Sequence, residues 1–267
     1  MTAYLLCAGF GTRMRPLTDE TPKSLLPVAG RPILDYLLDE VRQWDALDAI
    51  HVAVNHRDAD AFRDWAAGWR PALSENDLTL TLHDNGVSTP DALRGAVGDL
   101  RFLLEQTGLP SDGALVSGGD SLYRFPLAPV LQSFDGQTSR VFALHAPNTE
   151  EQRKSSVLHL DGPQVTGLSD DPAAASDRIC PSWYLLTSGA LGAVAPYLRA
   201  GGNPDTLGGY LDVVAQRTLV KALRLPKQDA LRVHCNTPGD LEHARTVLHD
   251  EPHHVLSADA VQACLPV

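Results

Sequence analysis

Long apolar runs are missing from this chain, and none approaches the roughly 18 residues that a membrane span needs. Cysteine is scarce: Cys7, Cys180, Cys235 and Cys264 are widely scattered and form no C-x-x-C pair. That spacing argues against a zinc knuckle or a redox pair and leaves four reduced thiols. Positive charge is also in deficit, with 22 Lys and Arg against 33 Asp and Glu and a formal net charge of −11. A surface of that sign repels nucleic acid and anionic lipid, because phosphate affinity is built from clustered cations. Any phosphate bound here has to be held locally, by backbone N–H groups and a few chosen side chains. Internal repeats and low-complexity linkers are absent too, which excludes solenoids and tethered arrays. Met1-Thr2-Ala3 lacks the basic start of a secretory signal, and Gly9 and Gly11 interrupt the apolar run behind it, so the expected compartment is the cytoplasm.

What is present is an ordinary globular composition, 43% hydrophobic over 267 residues, enough chain to bury a substantial core. Tyr4-Leu5-Leu6 stops at glycines and reads as a buried strand feeding a loop. Ile33, Leu34, Leu37, Leu38, Val41 and Trp44 recur at helical spacing behind Pro32. Ile50 to Val54 is a second strand, and Phe62, Trp65, Ala66 and Trp69 mark a second helix. Leu78, Leu80 and Leu82 alternate with threonines as a strand does. Leu93, Val97, Leu100, Leu103 and Leu104 predict a third helix, and Ala114-Leu115-Val116 a strand ending at Gly118-Gly119-Asp120. Strands and helices alternating in this rhythm imply βαβ units: an α/β, Rossmann-like fold with a mostly parallel mixed sheet flanked by helices and its site at the carboxyl ends of the strands.

Beyond Asp120 the pattern loosens. Strands are expected at Arg140 to His145, Lys221 to Leu225 and Leu231 to Cys235, with a hairpin from Val157 to Leu168 turning at Asp161-Gly162. Helices are expected over Leu191 to Leu198, Leu207 to Leu219, and from an Asp240 cap through Leu248. The reading is one domain over residues 1–250, a nucleotide-binding half to residue 120 and an acceptor-binding half to residue 250, followed by a tail over 251–267.

The chemistry concentrates in Leu6-Cys7-Ala8-Gly9-Phe10-Gly11-Thr12-Arg13-Met14-Arg15-Pro16-Leu17-Thr18 and in Thr21-Pro22-Lys23-Ser24-Leu25-Leu26-Pro27-Val28. Two glycines straight after a strand let backbone approach a triphosphate and aim N–H groups at it. Arg13 adds a forked cation for a departing pyrophosphate. Lys23 returns to the same pocket once the chain turns at Pro16 and Pro22. A lone G-x-G would be read as a turn; glycines, Arg, two prolines and Lys together are not.

These residues resemble the opening signature of the sugar-phosphate nucleotidyltransferases, or nucleotide-sugar pyrophosphorylases. That signature runs L-A-A-G-x-G-T-R-L-x-P-L-T and then P-K-x-L-L-P-V-x-G-x-P. The match extends from Leu6 to Pro32, with Cys7 for the first Ala and Met14 for Leu. Weaker similarity continues through Leu93 to Leu104, Val116 to Asp120, Asn203 to Leu211 and Thr237 to Leu241. The resemblance implies a fold of nucleotide-diphospho-sugar transferase type and transfer of NMP from an NTP to a sugar 1-phosphate, with release of pyrophosphate. It implies that Arg13 holds the β- and γ-phosphates and that Lys23 bridges the α-phosphate and the incoming phosphate. Leu6, Ala8 and Gly9 meet the base through backbone atoms, with Gly11 and Thr12 completing the nucleotide loop, and Asp120 holds Mg²⁺. The expected partners are an NTP and a small phosphorylated acceptor.

The pattern breaks in the acceptor half. The family's E-K-P, whose Lys grips the acceptor phosphate, corresponds to Ser169-Asp170-Asp171-Pro172, with Asp171 in place of Lys. The family's W-x-D-x-G-T-P corresponds to Arg232-Val233-His234-Cys235-Asn236-Thr237-Pro238, which puts His234 where a second Mg²⁺ carboxylate is expected, with Asp229 or Asp240 as substitutes. Imidazole is a poor ligand for Mg²⁺. Two rivals follow: a cytidylyltransferase acting on a phosphorylated alcohol such as phosphocholine or inositol phosphate, and a non-catalytic nucleotide-binding regulatory protein. A dinucleotide-dependent oxidoreductase is disfavoured, since Pro16 breaks the helix it needs and the second strand ends at Asn55, not an acid. His253-His254 reads as a solvated pair, and Trp44, Trp65 and Trp69 read as core or interface.

Overall fold

The computed structural model describes residues 1–146, 152–153, 155–170, 176–228, 231–250 and 254–265. The predicted positions Asp171, Pro172, Asp229 and His253 lie outside the described residues. The first half consists of β1 (Thr2–Leu6), the two-residue strands β2 (Pro27–Val28) and β3 (Arg31–Pro32), α1 (Ile33–Val41), β4 (Ala49–Val54), α2 (Ala59–Ser74), β5 (Thr79–Asp84), α3 (Ala96–Thr107) and β6 (Ala114–Gly118). β7 (Ser121–Tyr123), α4 (Ala128–Gln132), β8 (Ser139–His145), β9 (Ser156–Asp161), β10 (Gln164–Ser169), β11 (Arg178–Cys180) and β12 (Trp183–Leu186) follow. Short helices lead on to β13 (Val220–Arg224) and β14 (Arg232–His234).

Ten strands form one mixed sheet in the order β11-β9-β10-β13-β8-β12-β6-β1-β4-β5. β6, β1, β4 and β5 are all parallel, as chains crossing over through helices must be. The parallel character belongs mainly to this half. Past β6, the β8–β13 pair is parallel, while β12 runs antiparallel to both β6 and β8, and β9, β10 and β11 pair antiparallel. β11 also pairs back onto β8, so the far end of the sheet curls onto itself.

The helices cover the sheet because their apolar faces have nowhere else to go. Leu34, Leu37, Leu38 and Val41 of α1 are buried on one face, and Phe62, Ala66 and Leu73 of α2 join the same core, while Ile33 packs with Met14, Leu26 and Val28 in a smaller cluster. Trp44 lies past the end of α1 but is only 2% exposed. The Trp65 and Trp69 indoles pack against this core and both donate to Asp35 Oδ1 at 2.8 Å, so these rings are structural. On the other face Val97, Leu100 and Leu103 of α3 meet Tyr4 and Val116.

Several predicted boundaries shift. Leu93 precedes α3 and is 44% exposed, because Gly95 at φ 75° separates it from the helix. The helix expected over Leu191 to Leu198 is two, Ser188–Gly192 and Val194–Arg199, with Thr187 capping the first. The next stops at Ala215, leaving Leu219 48% exposed. Asp240 is not the cap of the helix Pro238–Asp250: Thr237 Oγ1 accepts from Asp240 N, and the Asp240 carboxylate reaches back to Thr237 N at 2.8 Å. That reciprocal arrangement is a capping box, which the first-turn Asp completes. His254 is not solvated; its Nε2 meets Glu40 Oε1 at 3.0 Å. Just beyond it, Val261 on the helix Ala258–Gln262 is fully buried in the core.

Candidate active site

The end of β1 delivers the glycine loop to the carboxyl edge of the parallel strands. Cys7 N still bonds to Ala53 O at 2.9 Å, and the Asn55 side chain holds Ala8 O at 3.2 Å. Gly11 then turns at φ 60° into a short 3₁₀ turn over Thr12–Met14, and Thr18 Oγ1 donates to Gly11 O at 2.8 Å. A side chain at Gly11 would begin 2.9 Å from Thr18 Cγ2 and 3.1 Å from Lys23 Cβ, so this glycine is required by both conformation and space. Gly9 is different: a Cβ there meets nothing within 4 Å, so the room it leaves belongs to the cleft.

β6 ends at the same edge. A Cβ on Gly119 would fall 2.5 Å from Cys7 Sγ and 2.9 Å from Ser24 Oγ, so its bare backbone packs directly onto the loop and sets Asp120 beside Lys23. Lys23 Nζ donates to Asp120 Oδ2 at 2.6 Å and to Asn236 Oδ1 at 2.9 Å. Their side chains are 12% and 27% exposed, shielded enough for this pair to outweigh a surface ion pair. His234 Nε2 stands 3.2 Å from the same Oδ2. Burial by itself raises the Asp120 carboxyl, but Lys23 and His234 overcome it and hold the group well below the usual carboxylate range. Burial lowers the His234 imidazole and Arg232 pushes the same way, with Asp120 opposing.

All eight residues singled out in the sequence, Leu6, Ala8, Gly9, Gly11, Thr12, Arg13, Lys23 and Asp120, line one open cleft of about 630 Å³. Arg13 is exposed and has no hydrogen bond or ion pair to any described residue, while Arg15 is tied to Asp19 at 3.2 Å. The opposite wall comes from residues that sequence reasoning left without a role: Pro90, Asp91, Gly95, Ala96, Asp99 and Asp205. Gly95 lies so close to the Asn203-Pro204-Asp205 segment that a Cβ would fall 2.3 Å from Pro204 O, and Val97 N bonds to that oxygen at 2.8 Å. Two stretches with only weak family similarity are thereby welded into one wall. Burial raises the Asp99 carboxyl, against the Asn85 amide that donates to it at 2.8 Å. In the sequence Asn236 carries no role beyond its place in the Arg232–Pro238 motif. Its signal was its position, in the loop between a strand and the Thr237 cap.

His234 stays outside the cleft lining and meets Asp120 from β14, which pairs with β7 through His234 opposite Ser121. Asp240 is committed to its capping box. Among the described residues no cluster of three or more His, Cys, Asp or Glu is arranged to hold a metal ion, and no helix is long and apolar enough to cross a membrane.

Comparison with known proteins matches this geometry to a family. The chain is 43% identical over 219 residues to a UTP–glucose-1-phosphate uridylyltransferase of Synechocystis sp., covering 79% of this chain and 54% of that one. It is 44% identical over 57 residues to the bifunctional protein GlmU of Methanocaldococcus jannaschii, 21% of this chain and 14% of that protein. The chain thus spans about half the length, or less, of these curated relatives. A solved UDP-glucose pyrophosphorylase in complex with UDP-glucose superposes with a TM-score of 0.71 at 16% identity, covering 93% of this chain and 98% of that one, and establishes the shared fold. A family model described as nucleotidyl transferase matches residues 2–204, from the first residue of β1 through the α3 wall to Pro204, so the chain belongs to the nucleotidyl transferase family.

Proposed function

We propose that this chain transfers NMP from an NTP to a sugar 1-phosphate with release of pyrophosphate. The observation that carries the reading is the convergence of Lys23, Asp120 and Asn236 in a cleft whose lip bears Arg13, a cation paired with no described residue. A phosphate oxygen of the acceptor attacks the α-phosphorus in line; a new O–P bond forms as the bond from the α-phosphorus to pyrophosphate breaks. No covalent bond to protein is needed, so the protein's part is positioning and neutralising charge. Arg13 holds the β- and γ-phosphates with its forked guanidinium. Lys23 bridges the α-phosphate and the incoming phosphate. Backbone atoms of Leu6, Ala8 and Gly9 meet the base, and Gly11 and Thr12 shape the loop under the phosphates.

Mg²⁺ is the cofactor this chemistry calls for, and the donor set fits it in a restricted way. Asp120 offers one carboxylate, kept ionised by its surroundings, and His234 is a poor Mg²⁺ partner. Mg²⁺ is commonly held by one or two carboxylates together with substrate phosphates and water, so Asp120 would hold an ion that arrives with the nucleotide. Bound there, it would supply Lewis-acid neutralisation of phosphate charge. Lys23 occupies the same Oδ2 and protects the carboxylate from an uncompensated burial until then.

The sugar 1-phosphate acceptor is supported by the substrates named for the uridylyltransferase and UDP-glucose relatives. The test is a screen for Mg²⁺-dependent pyrophosphate release across four NTPs with sugar 1-phosphates and alcohol phosphates. Release with a sugar 1-phosphate confirms the reading. Release only with phosphocholine or inositol phosphate transfers it to the cytidylyltransferase rival, and nucleotide binding without release makes the chain a binding protein.

A further inference from the structure

Arg232 is a half-buried cation that the proposed chemistry has not used. It lies on β14 two residues before His234 and opposite Tyr123 of β7, so Arg232 and His234 emerge on one face of the ribbon, roughly 7 Å apart along the strand. His234 is the residue that reaches Asp120, which places Arg232 one step further into the acceptor half on the same face. Its guanidinium lies near enough to Cys180 and Tyr184 to oppose the upward push that burial gives both groups. Nη1 donates to Ser155 Oγ at 2.7 Å. Among the described residues Arg232 makes no ion pair with any carboxylate, and its other N–H donors find no acceptor.

A partly desolvated guanidinium without a counter-charge is costly unless an anion comes to it. The chain is strongly acidic, with 33 Asp and Glu, yet it places none of the described ones against this cation. The acceptor half also lacks the lysine expected at the Asp171 position. We propose that Arg232 grips the phosphate of the acceptor, a sugar 1-phosphate or similar phosphomonoester, reaching it from β14 in place of that lysine. The proposal rests on the nucleotidyltransferase reading for its choice of ligand. A planar fork suits a phosphomonoester, presenting two parallel N–H groups to two of its oxygens.

The test measures binding rather than turnover, by calorimetry on the full chain, using glucose 1-phosphate, inorganic phosphate, unphosphorylated glucose and the four NTPs. R232Q should weaken glucose 1-phosphate and inorganic phosphate tenfold or more, while the NTP that binds the parent keeps its affinity within threefold. R232K, which keeps the charge and loses the fork, should fall between, and it replaces R232Q if the latter fails to fold. Glucose 1-phosphate binding unchanged in the variant overturns the proposal, as does a parallel loss of glucose 1-phosphate and NTP, which marks a structural role. A parent chain that binds an NTP but neither phosphorylated probe also overturns it, and leaves the nucleotide site standing. If no NTP binds but phosphate binding requires Arg232, the assignment of Arg232 holds and the proposed function falls.

Discussion

The two ends of the cleft are held in different ways. On the side proposed to take the nucleotide the loop after β1 is fixed by Thr18, Asn55 and the packing of Gly119 onto Cys7 and Ser24, all on or beside four parallel strands. On the proposed acceptor side Asp120 is met by His234 of β14, a three-residue strand in a separate two-stranded ribbon, and Lys23 by Asn236 just past its end. The nucleotide side presents backbone and one exposed cation, Arg13, paired with no described residue; the acceptor side presents side chains bonded to one another around Asp120 and Lys23. Gripping a triphosphate admits few solutions, since N–H groups must point inward from a loop with almost no side chain in the way. Gripping one phosphate of an acceptor admits many, and there this chain departs from the pattern it resembles.

The sharpest way to break this contrast is at its junction. Asp120→Asn removes the carboxylate at which the two sides meet and leaves Lys23 without its counter-ion among the described residues. Pyrophosphate release should fall by about 10³-fold, the upper range for groups aimed at transition-state charge, with the circular dichroism spectrum unchanged. A variant that responds to Mg²⁺ as the parent does would reduce Asp120 to a structural partner of Lys23. Lys23→Ala should cost ~10²-fold in turnover. It should also lower thermal stability, because Asp120 loses its ammonium partner and keeps only His234 and a longer bond from Ser121 among the described residues. A loss of stability with normal turnover per folded molecule would remove Lys23 from the chemistry.

The two glycines test the nucleotide side from within. Gly11→Ala forces a left-handed residue against Thr18 and Lys23 and should destabilise the chain by about 1–2 kcal/mol, read as a lower melting temperature. Gly9→Ala meets nothing in the protein, so stability should hold while NTP affinity drops by roughly tenfold as the methyl takes ligand space. If both variants behave alike, the cleft at Gly9 is not where the nucleotide lies. On the acceptor side, His234→Asp should lower the Mg²⁺ concentration for half-maximal turnover several-fold, about 1 kcal/mol for a charge added a few Å away. Without metal the same variant should be less stable, because two carboxylates would then share one site. No movement in either quantity would mean that His234 merely packs at the ribbon edge.

How much of this was legible follows the same division. The parallel strands, α1 to α3 and the loop residues were readable because burial on both faces, helical spacing and glycine punctuation are local signals. The errors cluster where tertiary contacts decide. Leu93 has helical spacing with Val97, yet Gly95 must make a close approach to Pro204, more than 100 residues away, and that contact ends the helix early. β7 was not foreseen at all: three residues gain strand character only from β14, itself remote in sequence. The role of Asn236 and the placement of Arg232 beside Ser155 are likewise products of assembly, invisible to spacing. The capping box at Thr237 was legible in its T-x-x-D spacing, and Asp240 was read there as the cap itself.

A pH effect that leaves turnover untouched separates folding of the first half from chemistry at the junction. His51 on β4 and His83 on β5 touch through Nδ1 and Nε2 at 3.0 Å, and the His51 ring stacks on Tyr4 at 5.7 Å. Burial, and then the neighbouring His83, lowers the His51 pKa from 6.5 to about 4; burial lowers His83 as well. A base whose folded pKa is depressed takes up its proton more readily in the unfolded chain. Its contribution to stability is therefore complete above pH 6.5 and is lost as pH falls towards about 4. At about 1.4 kcal/mol per pH unit, scaled down because both rings are partly exposed, the loss amounts to about 1–2 kcal/mol. Between pH 7.5 and 4.5 the melting temperature of the parent should fall more steeply than that of His51→Gln, the variant showing the flatter profile. Turnover of His51→Gln at pH 7.5 should match the parent, since neither ring lines the cleft. Equal slopes for the two proteins would place the acid sensitivity elsewhere, with the ion pairs of the acceptor half as the next place to look.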